Sequence, residues 1–312
     1  MESGRIPAAS AGPRKPPWMR RKTRGDVVFD VCNAAFLVLF ALSVVYPFWT
    51  TIVTSLSTEK EATEMGLRIW IRDWTLNSYR FALSGYGNVG RAYLNSIFRT
   101  AVGTVLAVIV TILGAFPLSK RDLPGRNAVT VFILITMFFS GGLIPSYLLI
   151  RSLGLIDSRW ALILPSLAAG FHIIIMRNFF MTVDKACEES AFMDGANYLQ
   201  ILLRIIVPLS KPVIATVALW VAVGHWNAWF DALIYINSEK KLVLQLLLRR
   251  LIQEMTLLSD PMNSFMASEN TRIPSEGVKS AIVILTIGPI VALYPFLQKY
   301  FIKGVFMGSL KG

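Results

Sequence analysis

Charged residues are scarce in this sequence. Only 16% of its 312 residues are Asp, Glu, Lys or Arg, whereas 54% are hydrophobic, and the mean hydropathy is +0.55. Soluble domains rarely combine so many apolar residues with so little charge. The apolar residues also lie in blocks of about 20 or more, the length that crosses a hydrocarbon core of about 30 Å. The composition therefore excludes an ordinary soluble globular domain.

Cysteine and histidine are too few to build the usual crosslinks or metal sites. The chain has two cysteines, Cys32 and Cys187, and two well-separated histidines. Two thiols on what we infer below to be the cytoplasmic side do not predict a disulfide. A zinc site needs more ligands than these four residues supply. We therefore expect neither a disulfide nor a metal site.

The short motifs of common enzymes are also missing. The sequence has no Walker A, HExxH or GxSxG motif and no paired acids inside a hydrophobic block. The stretch GYGNVG (Gly85–Gly90) matches the dinucleotide-binding pattern, but no buried strand precedes it and a hydrophobic block follows it. We interpret these glycines as a turn where the chain re-enters the membrane, and we expect no catalytic residue and no cofactor in this chain.

Six hydrophobic blocks predict an all-α, polytopic membrane protein with six transmembrane helices. The blocks are Val31–Leu56, Tyr93–Leu118, Ala128–Ile150, Ala161–Phe180, Val213–Ile236 and Val278–Phe301. Residues 31–312 are thus expected to form one transmembrane domain.

Helix-breaking residues lie inside or at the ends of several blocks. They are Pro47, Pro117, Pro145, Pro165, Pro289 and Pro295, with Gly141, Gly142 and Gly288 nearby. Broken helices line substrate paths in transporters, although Pro and Gly are in any case common in membrane helices. Taken together, the breaks favour a mobile transport bundle over a passive anchor.

The formal charge of +12 indicates membrane orientation rather than a nucleic-acid ligand. Lys and Arg are concentrated in the N-terminal tail, in the Ser119–Asn127 connection and after the last block. Six spans place all three on one side, which the positive-inside rule makes cytoplasmic. Residues 1–30 then form a basic cytoplasmic tail, disordered at its start, and both termini are cytoplasmic. Because no basic domain with interleaved aromatics is present, we expect no nucleic-acid partner.

Polar side chains in the fifth block provide a candidate substrate path. The stretch VGHWNAWFDALIYI carries His225, Trp226, Asn227, Trp229 and Asp231. A carboxylate at membrane depth is costly unless it faces protein or water. Asn227 and Asp231 are four residues apart and would share a helix face, suited to hydrogen-bonding a sugar that stacks on the aromatic rings. The favoured alternative is structural, with Asp231 holding an Asn or backbone group in helix packing and His225 a packed polar residue.

The segment CEESAFMDGANYLQILLRIIVPLSKP, between the fourth and fifth blocks, is too polar to span a bilayer. Asp184, Glu188 and Glu189 place negative charge at a helix N-terminus, where it is favourable. Gly195 permits a break or a close approach, and Asn197 can cap a second helix that leads into the membrane. Such a short helix suits docking into another protein. The alternative is a helix lying on lipid, but the polar face of such helices is usually basic.

This segment resembles the EAA loop of permeases of ABC importers. The family pattern is Glu-Ala-Ala, three residues, Gly, nine residues, Ile, one residue and Leu-Pro. Glu189-Ser190-Ala191 is followed by Gly195, Ile205 and Val207-Pro208 at this spacing, and the Ser and Val are departures of conservative size. The DGA triplet, GGLIPSYLLIRSLGLIDSRWALILP, HWNAWFDALIYI and KGVFMGSLKG resemble the maltose-type carbohydrate branch. Within it they look most like permeases for complex oligosaccharides that work with a lipid-anchored binding protein.

The resemblance implies a type I ABC importer permease fold with a cytoplasmic coupling loop over residues 181–212. Glu189 would pair with a basic residue of the ATPase, while Ala191 and Gly195 would permit close packing. The full set of implied ATPase-coupling residues is Glu188, Glu189, Ser190, Ala191, Asp194, Gly195 and Ala196.

The resemblance also implies partners and a location. The partners are a second homologous permease subunit, an ATP-binding cassette ATPase dimer, an extracellular solute-binding lipoprotein and membrane lipid. The ATPase would bind ATP and Mg, so this chain would be a transport subunit and not an enzyme. The implied location is the bacterial plasma membrane.

Two other functions compete with an ATP-driven carbohydrate importer. An ion-coupled secondary transporter would need no ATPase, but it would be expected to carry acids at the membrane midplane and inverted repeats. Only Asp231 fits that description. A polytopic membrane enzyme would need a cluster of catalytic polar residues, which the sequence does not contain.

Overall fold

A computed structural model describes residues 23–63, 70–84, 89–258 and 276–309. Within these ranges the regular structure is helical, and a single isolated bridge between Ser57 and Trp74 has β geometry. The chain divides into two compact units, residues 1–50 and 51–312. The all-α prediction is confirmed. The expected disorder at the start of the tail and most of the GYGNVG turn lie outside the described residues.

The helices are labelled in chain order. They are α1 Arg24–Leu56, α2 Glu59–Thr63, α3 Asn77–Ser84, α4 Val89–Ser119, α5 Arg126–Phe138, α6 Leu143–Ser152, α7 Gly170–Phe180, α8 Lys185–Met193, α9 Tyr198–Ile201, α10 Val207–Leu209, α11 Lys211–Asn227, α12 Phe230–Tyr235, α13 Leu244–Leu258 and α14 Glu276–Ser309. Short 3₁₀ turns, Arg159–Leu162 and Leu164–Ser166, precede α7, and a π-helical turn, Leu202–Ile206, joins α9 to α10.

Each predicted span overlaps a helix, but several spans are not straight. Among the described residues, α1 and α4 alone are long and apolar enough to cross a membrane unbroken, and up to five spans result if each bent helix pair counts as one. The pair α5–α6 is bent by 112°, and the 159–166 turns meet α7 at 47°. The number six therefore stays a prediction.

The interruptions agree only in part with the prolines and glycines of the sequence. The break at Gly141-Gly142 occurs as expected, with Gly142 at φ +85°, a backbone conformation that glycine adopts freely. Pro47 and Pro117, in contrast, lie inside the continuous helices α1 and α4. Membrane helices tolerate an internal proline when neighbouring groups satisfy the freed carbonyl.

Helices α4 and α11 pack closely through two complementary rows of side chains. On α4 the small buried residues Gly103, Ala107, Thr111 and Ala115 recur every four positions, and on α11 Val213, Val217, Val221 and His225 do the same. Small residues let membrane helices approach closely. At Gly103 a side-chain carbon would lie 2.5 Å from Nε2 of His225, so only glycine fits there without movement.

The N-terminal end of α4 is fixed to the connection between α12 and α13. Asn95 Nδ2 donates to the carbonyls of Lys240 and Leu242, at 3.0 and 2.9 Å, and the amide of Leu244 donates to Ser96 Oγ at 2.9 Å. Apolar side chains of α13, among them Leu247 and Leu251, join a buried cluster with Trp226 and Ile282. Helix α13 therefore packs against the bundle, and α4 reaches from it to the opposite end.

Candidate functional site

Helix α8 is a short polar helix with defined ends. The side chain of Asp184 caps its N-terminus by accepting a hydrogen bond from the amide of Ala186 at 3.0 Å. The helix ends before Gly195, whose φ of +80° is a left-handed conformation, and the amide of Ala196 closes the turn on the carbonyl of Ala191 at 2.9 Å. The predicted helix start and glycine turn are both confirmed.

A second capped helix follows at once. Asn197 and Gln200 form a reciprocal capping box. The side-chain oxygen of each residue accepts a hydrogen bond of 2.9 Å from the backbone N–H of the other. The helix runs from Tyr198 to Leu209 and meets α11 at an angle of 82°. The sequence-based assignment of Asn197 as a cap is confirmed. Helix α8 is therefore held between a capped start and a capped exit into the bundle.

The two glutamates of α8 differ in their surroundings. Glu188 forms an ion pair with Lys120, from the connection after α4, and the side chains are only 16% and 18% exposed. Lys120 also lies over the ring of Phe116, 4.5 Å from its centroid. Glu189 is exposed and makes no ion pair within the described part of the chain. Glu188 is thus engaged within the chain, whereas the Glu189 carboxylate has no ion-pair partner among the described residues.

The other predicted coupling residues lie on the same short loop. Ser190 Oγ bonds back to the carbonyl of Ala186 at 2.7 Å, Ala191 and Ala196 are half-buried against the core, and Asp194 and Gly195 are exposed. Large apolar side chains flank them, since Met193 is 89% exposed and the ring of Phe192 meets that of Tyr198 edge-on. This surface combines an exposed acid, small residues and exposed apolar groups.

The fifth predicted span is broken in its polar stretch. Helix α11 ends at Asn227, Ala228 is extended and α12 begins at Phe230. The prediction that Asn227 and Asp231 share a helix face is therefore wrong. Asn227 is exposed and accepts a bond of 3.4 Å from Gln245 Nε2 of α13.

Side chains take the place of the missing backbone hydrogen bond at this break. In a continuous helix the carbonyl of Ala228 would accept from the amide of Ala232. Instead, Arg99 of α4 donates to the Ala228 carbonyl at 3.1 Å, and Asp231 accepts from the Ala232 amide at 2.9 Å. Arg99 and Asp231 are themselves joined by an ion pair through both guanidinium ends. The break between α11 and α12 is therefore stabilised by specific side-chain hydrogen bonds.

Arg99 was not among the residues that the sequence predicted. It is 4% exposed, and it gives Asp231 the charged partner that a carboxylate at membrane depth needs. The contacts of Asp231 agree with the favoured structural alternative, although its partner is an arginine from α4, and a role in the substrate path stays a prediction. A signal was available, because Arg99 is the one charged residue within the second hydrophobic block.

Two further residues of the candidate path are packed inside the bundle. His225 is buried against Gly103. Trp226 is buried, its Nε1 donates to the carbonyl of Thr286 at 2.9 Å, and its ring meets that of Tyr93 edge-on. Asn227 is exposed, and Trp229 and Asp231 are half-buried. The described residues contain no group of three His, Cys, Asp or Glu side chains placed to hold a metal ion.

Asp157 connects two loops near this broken helix. It accepts bonds from the amides of Asn237 and Ser238, at 3.1 and 2.9 Å, and pairs with Lys241 Nζ at 2.8 Å. The hydrogen bond from Lys241 and those two amides hold the pKa of the Asp157 carboxyl below its usual value. The carboxylate is thus stabilised in the folded chain.

We expect Asp157→Asn to lower stability in a pH-dependent way. Asn also tolerates the left-handed backbone at this position, where φ is 56°, so the variant tests the charge. Because the folded-state pKa is lowered, the carboxylate's contribution is complete above the unfolded pKa of about 4 and is lost as the pH falls through the folded value. The melting-temperature difference from wild type should be constant between about pH 8 and pH 5 and shrink at lower pH. A difference that grows toward low pH would contradict this.

Comparisons with known proteins place the chain among transport components. The family model described as "Binding-protein-dependent transport system inner membrane component" matches residues 98–307. The chain is 43% identical to Protein LplC of Bacillus subtilis (strain 168) over 93% of this chain and 97% of that protein. It is 38% identical to the polygalacturonan/rhamnogalacturonan transport system permease protein YtcP of the same organism, over 91% of this chain and 99% of the relative.

A solved structure is similar over nearly the whole chain. It is the crystal structure of a bacterial ABC transporter involved in the import of the acidic polysaccharide alginate. One of its chains superposes with a TM-score of 0.81 and 34% sequence identity, covering 90% of this chain and 99% of that chain.

Proposed function

The chain belongs to the family of binding-protein-dependent transport system inner membrane components, and we propose that it is the membrane-spanning permease subunit of an ATP-driven importer of oligosaccharides. The observation that carries the mechanism is helix α8, a polar helix fixed at both ends with Glu189 exposed and unpaired among the described residues. Family membership supports this function over the ion-coupled transporter and the membrane enzyme.

We propose that α8 docks in a groove of an ATPase subunit that hydrolyses ATP. Glu189 would meet a basic side chain there, and the turn at Gly195 would let the partner approach the backbone closely. Glu188 would contribute indirectly, because its ion pair with Lys120 holds α8 against the end of α4. ATP and Mg would be bound by that ATPase, and a second homologous permease subunit would complete the transport path.

The proposed orientation places α8 and both chain termini on the cytoplasmic side. The basic residues of the 119–127 connection support it through the positive-inside rule, and so does the ion pair between that connection and α8. The connection between α12 and α14 would then face outward, where a solute-binding protein delivers the substrate.

The proposed substrate is an oligosaccharide, for which the similar proteins supply the support. One relative's name specifies polygalacturonan or rhamnogalacturonan, and the similar structure comes from an importer of alginate. Others, such as AraQ and MdxG of Bacillus subtilis at 26% identity, are named for arabinooligosaccharides and maltodextrin. Acidic oligosaccharides are therefore the first substrates to test.

Reversal of charge at Glu189 tests the docking of α8. The complete transporter would be reconstituted with its second permease, ATPase and binding protein, and substrate-stimulated ATP hydrolysis would be measured for wild type, Glu189→Lys and Gly195→Asp. We expect stimulation to fall about fivefold in each variant, the effect of about 1 kcal/mol at an interface, and less ATPase to co-purify. Membrane insertion should be normal, because both positions are exposed.

Glu239→Lys is the matched control for this experiment. Glu239 is an exposed glutamate in the connection between α12 and α13, so the substitution makes the same charge change on the proposed opposite side. It should leave ATPase retention unchanged. Full stimulation and full retention in the Glu189 and Gly195 variants would exclude α8 as the coupling element.

A further inference from the structure

Four side chains come together beside the break between α11 and α12. Asn227 ends α11, Trp229 lies in the break, and Gln245 and Arg249 project from α13. The break does not depend on a flexible loop, because Arg99 and Asp231 bind the backbone on either side of Trp229. The four side chains are thus presented by a fixed frame.

Arg249 stacks on the face of Trp229. Its guanidinium carbon lies 3.7 Å from the centroid of the indole ring, within the range of a strong cation–π contact. Stacking fixes the plane of the guanidinium and leaves the N–H donors along its edge available. Those donors form a fork that matches a carboxylate in two parallel hydrogen bonds.

Within the described ranges Arg249 has no acidic partner. It is exposed, none of the ion pairs there includes it, and Asp231, the acid of the adjacent helix, is bound to Arg99. A surface arginine held on a tryptophan without an acid beside it is equipped to receive an anion from outside the chain.

Amide groups lie next to this cation. Gln245 Nε2 donates to Asn227 Oδ1 at 3.4 Å, a long bond that leaves most of the donors and acceptors of both amides free. Hydroxyl groups of a sugar both donate and accept, so adjacent amides suit them. A lipid phosphodiester only accepts, so it could use the cation and the amide N–H groups but would leave the amide oxygens without a donor.

We propose that Asn227, Trp229, Gln245 and Arg249 form a binding site for the carboxylate-bearing sugar residues of an acidic oligosaccharide on its way into the transport path. Arg249 binds the carboxylate through the N–H donors along the edge of its guanidinium, and Trp229 holds the guanidinium by stacking. The amides of Asn227 and Gln245 bind hydroxyls of the sugar ring. This assignment rests on the proposed importer function and specifies its substrate as uronate-containing saccharides.

The test compares Arg249→Gln with Arg250→Gln in the complete transporter in proteoliposomes. Both arginines are exposed neighbours on α13, and Arg250 has no stacked ring among the described residues. The probes are a galacturonate trisaccharide and maltotriose, and the readout is the initial uptake rate at a concentration well below saturation, where the rate reports binding. We expect Arg249→Gln to transport the galacturonate trisaccharide about tenfold more slowly, the loss of one charge-assisted contact.

Three further results are expected if the assignment is correct. Arg250→Gln should transport the galacturonate trisaccharide at the wild-type rate. Arg249→Lys should recover only part of the rate, because lysine keeps the charge but not the fork. ATP hydrolysis without saccharide should be the same in Arg250→Gln as in wild type, since Arg250 lies outside both α8 and the proposed site.

Other outcomes overturn the proposal in distinguishable ways. If Arg249→Gln takes up the galacturonate trisaccharide at the wild-type rate, or if Arg250→Gln loses as much of that rate as Arg249→Gln does, the proposed binding site is wrong. If the wild-type transporter takes up maltotriose but not the galacturonate trisaccharide, the acidic substrate class is overturned and the importer function is left intact. Uptake of neither probe would overturn both. A loss in Arg249→Gln that occurs with phosphatidylglycerol vesicles but disappears in pure phosphatidylcholine would assign Arg249 to a lipid headgroup.

Discussion

Asp231→Ala is expected to lower the free energy of unfolding by about 3 kcal/mol, because it leaves the buried Arg99 of a partly buried ion pair without its charged partner. Arg99 would remain almost fully buried beside α11, and the amide of Ala232 would lose its acceptor. Thermal unfolding in detergent, followed by tryptophan fluorescence, should show a melting temperature about 10 °C lower than that of wild type.

The double variant Arg99→Leu, Asp231→Leu is the informative control. It removes both charges together, which is often neutral for stability, and it frees the carbonyl of Ala228 and the amide of Ala232 to bond to each other in a continuous helix. We expect its melting temperature to return near the wild-type value. Its transport rate should nevertheless be below that of wild type, because the break that positions Trp229 is lost. A double variant as unstable as Asp231→Ala would show that the ion pair is not the source of the loss.

Gly103→Val is expected to be the second large perturbation. Its Cβ would lie between 2.5 and 2.9 Å from three atoms of the His225 ring, which is itself buried. Overpacking of this kind costs about 1–3 kcal/mol, and valine adds two more carbons at the point of contact. Loss of the monodisperse peak in size-exclusion chromatography and a lower melting temperature would report it.

Two variants separate close packing from a general effect of replacing glycine in these helices. Gly224→Ala on α11 meets no atom within 4 Å, so it should be neutral or slightly stabilising. Adding His225→Ala to Gly103→Val removes the ring and should recover part of the lost stability, a non-additive result typical of residues in contact. Strictly additive effects would mean that Gly103 and His225 do not constrain each other.

The structured loop around α8 was predicted well because its signals are local. Asp184, Gly195 and Asn197 act on the backbone within a few residues of themselves, so their roles as caps and turn follow from residue type and spacing. The docking role of the loop was reached differently, through its resemblance to a family motif, and stays a proposal.

The break after Asn227 was not predictable in the same way. No glycine or proline marks it, and hydrophobic periodicity runs through it. Arg99, which binds the Ala228 carbonyl at the break, lies far away in the sequence and reaches it only once α4 and α11 are packed. For the same reason, Asp231 could be recognised as a residue needing a partner, whereas the partner and the loss of the shared face with Asn227 depend on tertiary structure.

The hydrogen bonds at the two ends of α4 have a mechanical consequence. This helix has 31 residues and is thus about 45 Å long. One end is fastened to the connection before α13 through Asn95 and Ser96, and just beyond the other end Lys120 is fastened to α8. Contacts near both ends of α4 therefore join α8 to the connection before α13 through one continuous helix. If α8 docks as proposed, a displacement of α8 would be passed along α4 to the connection before α13.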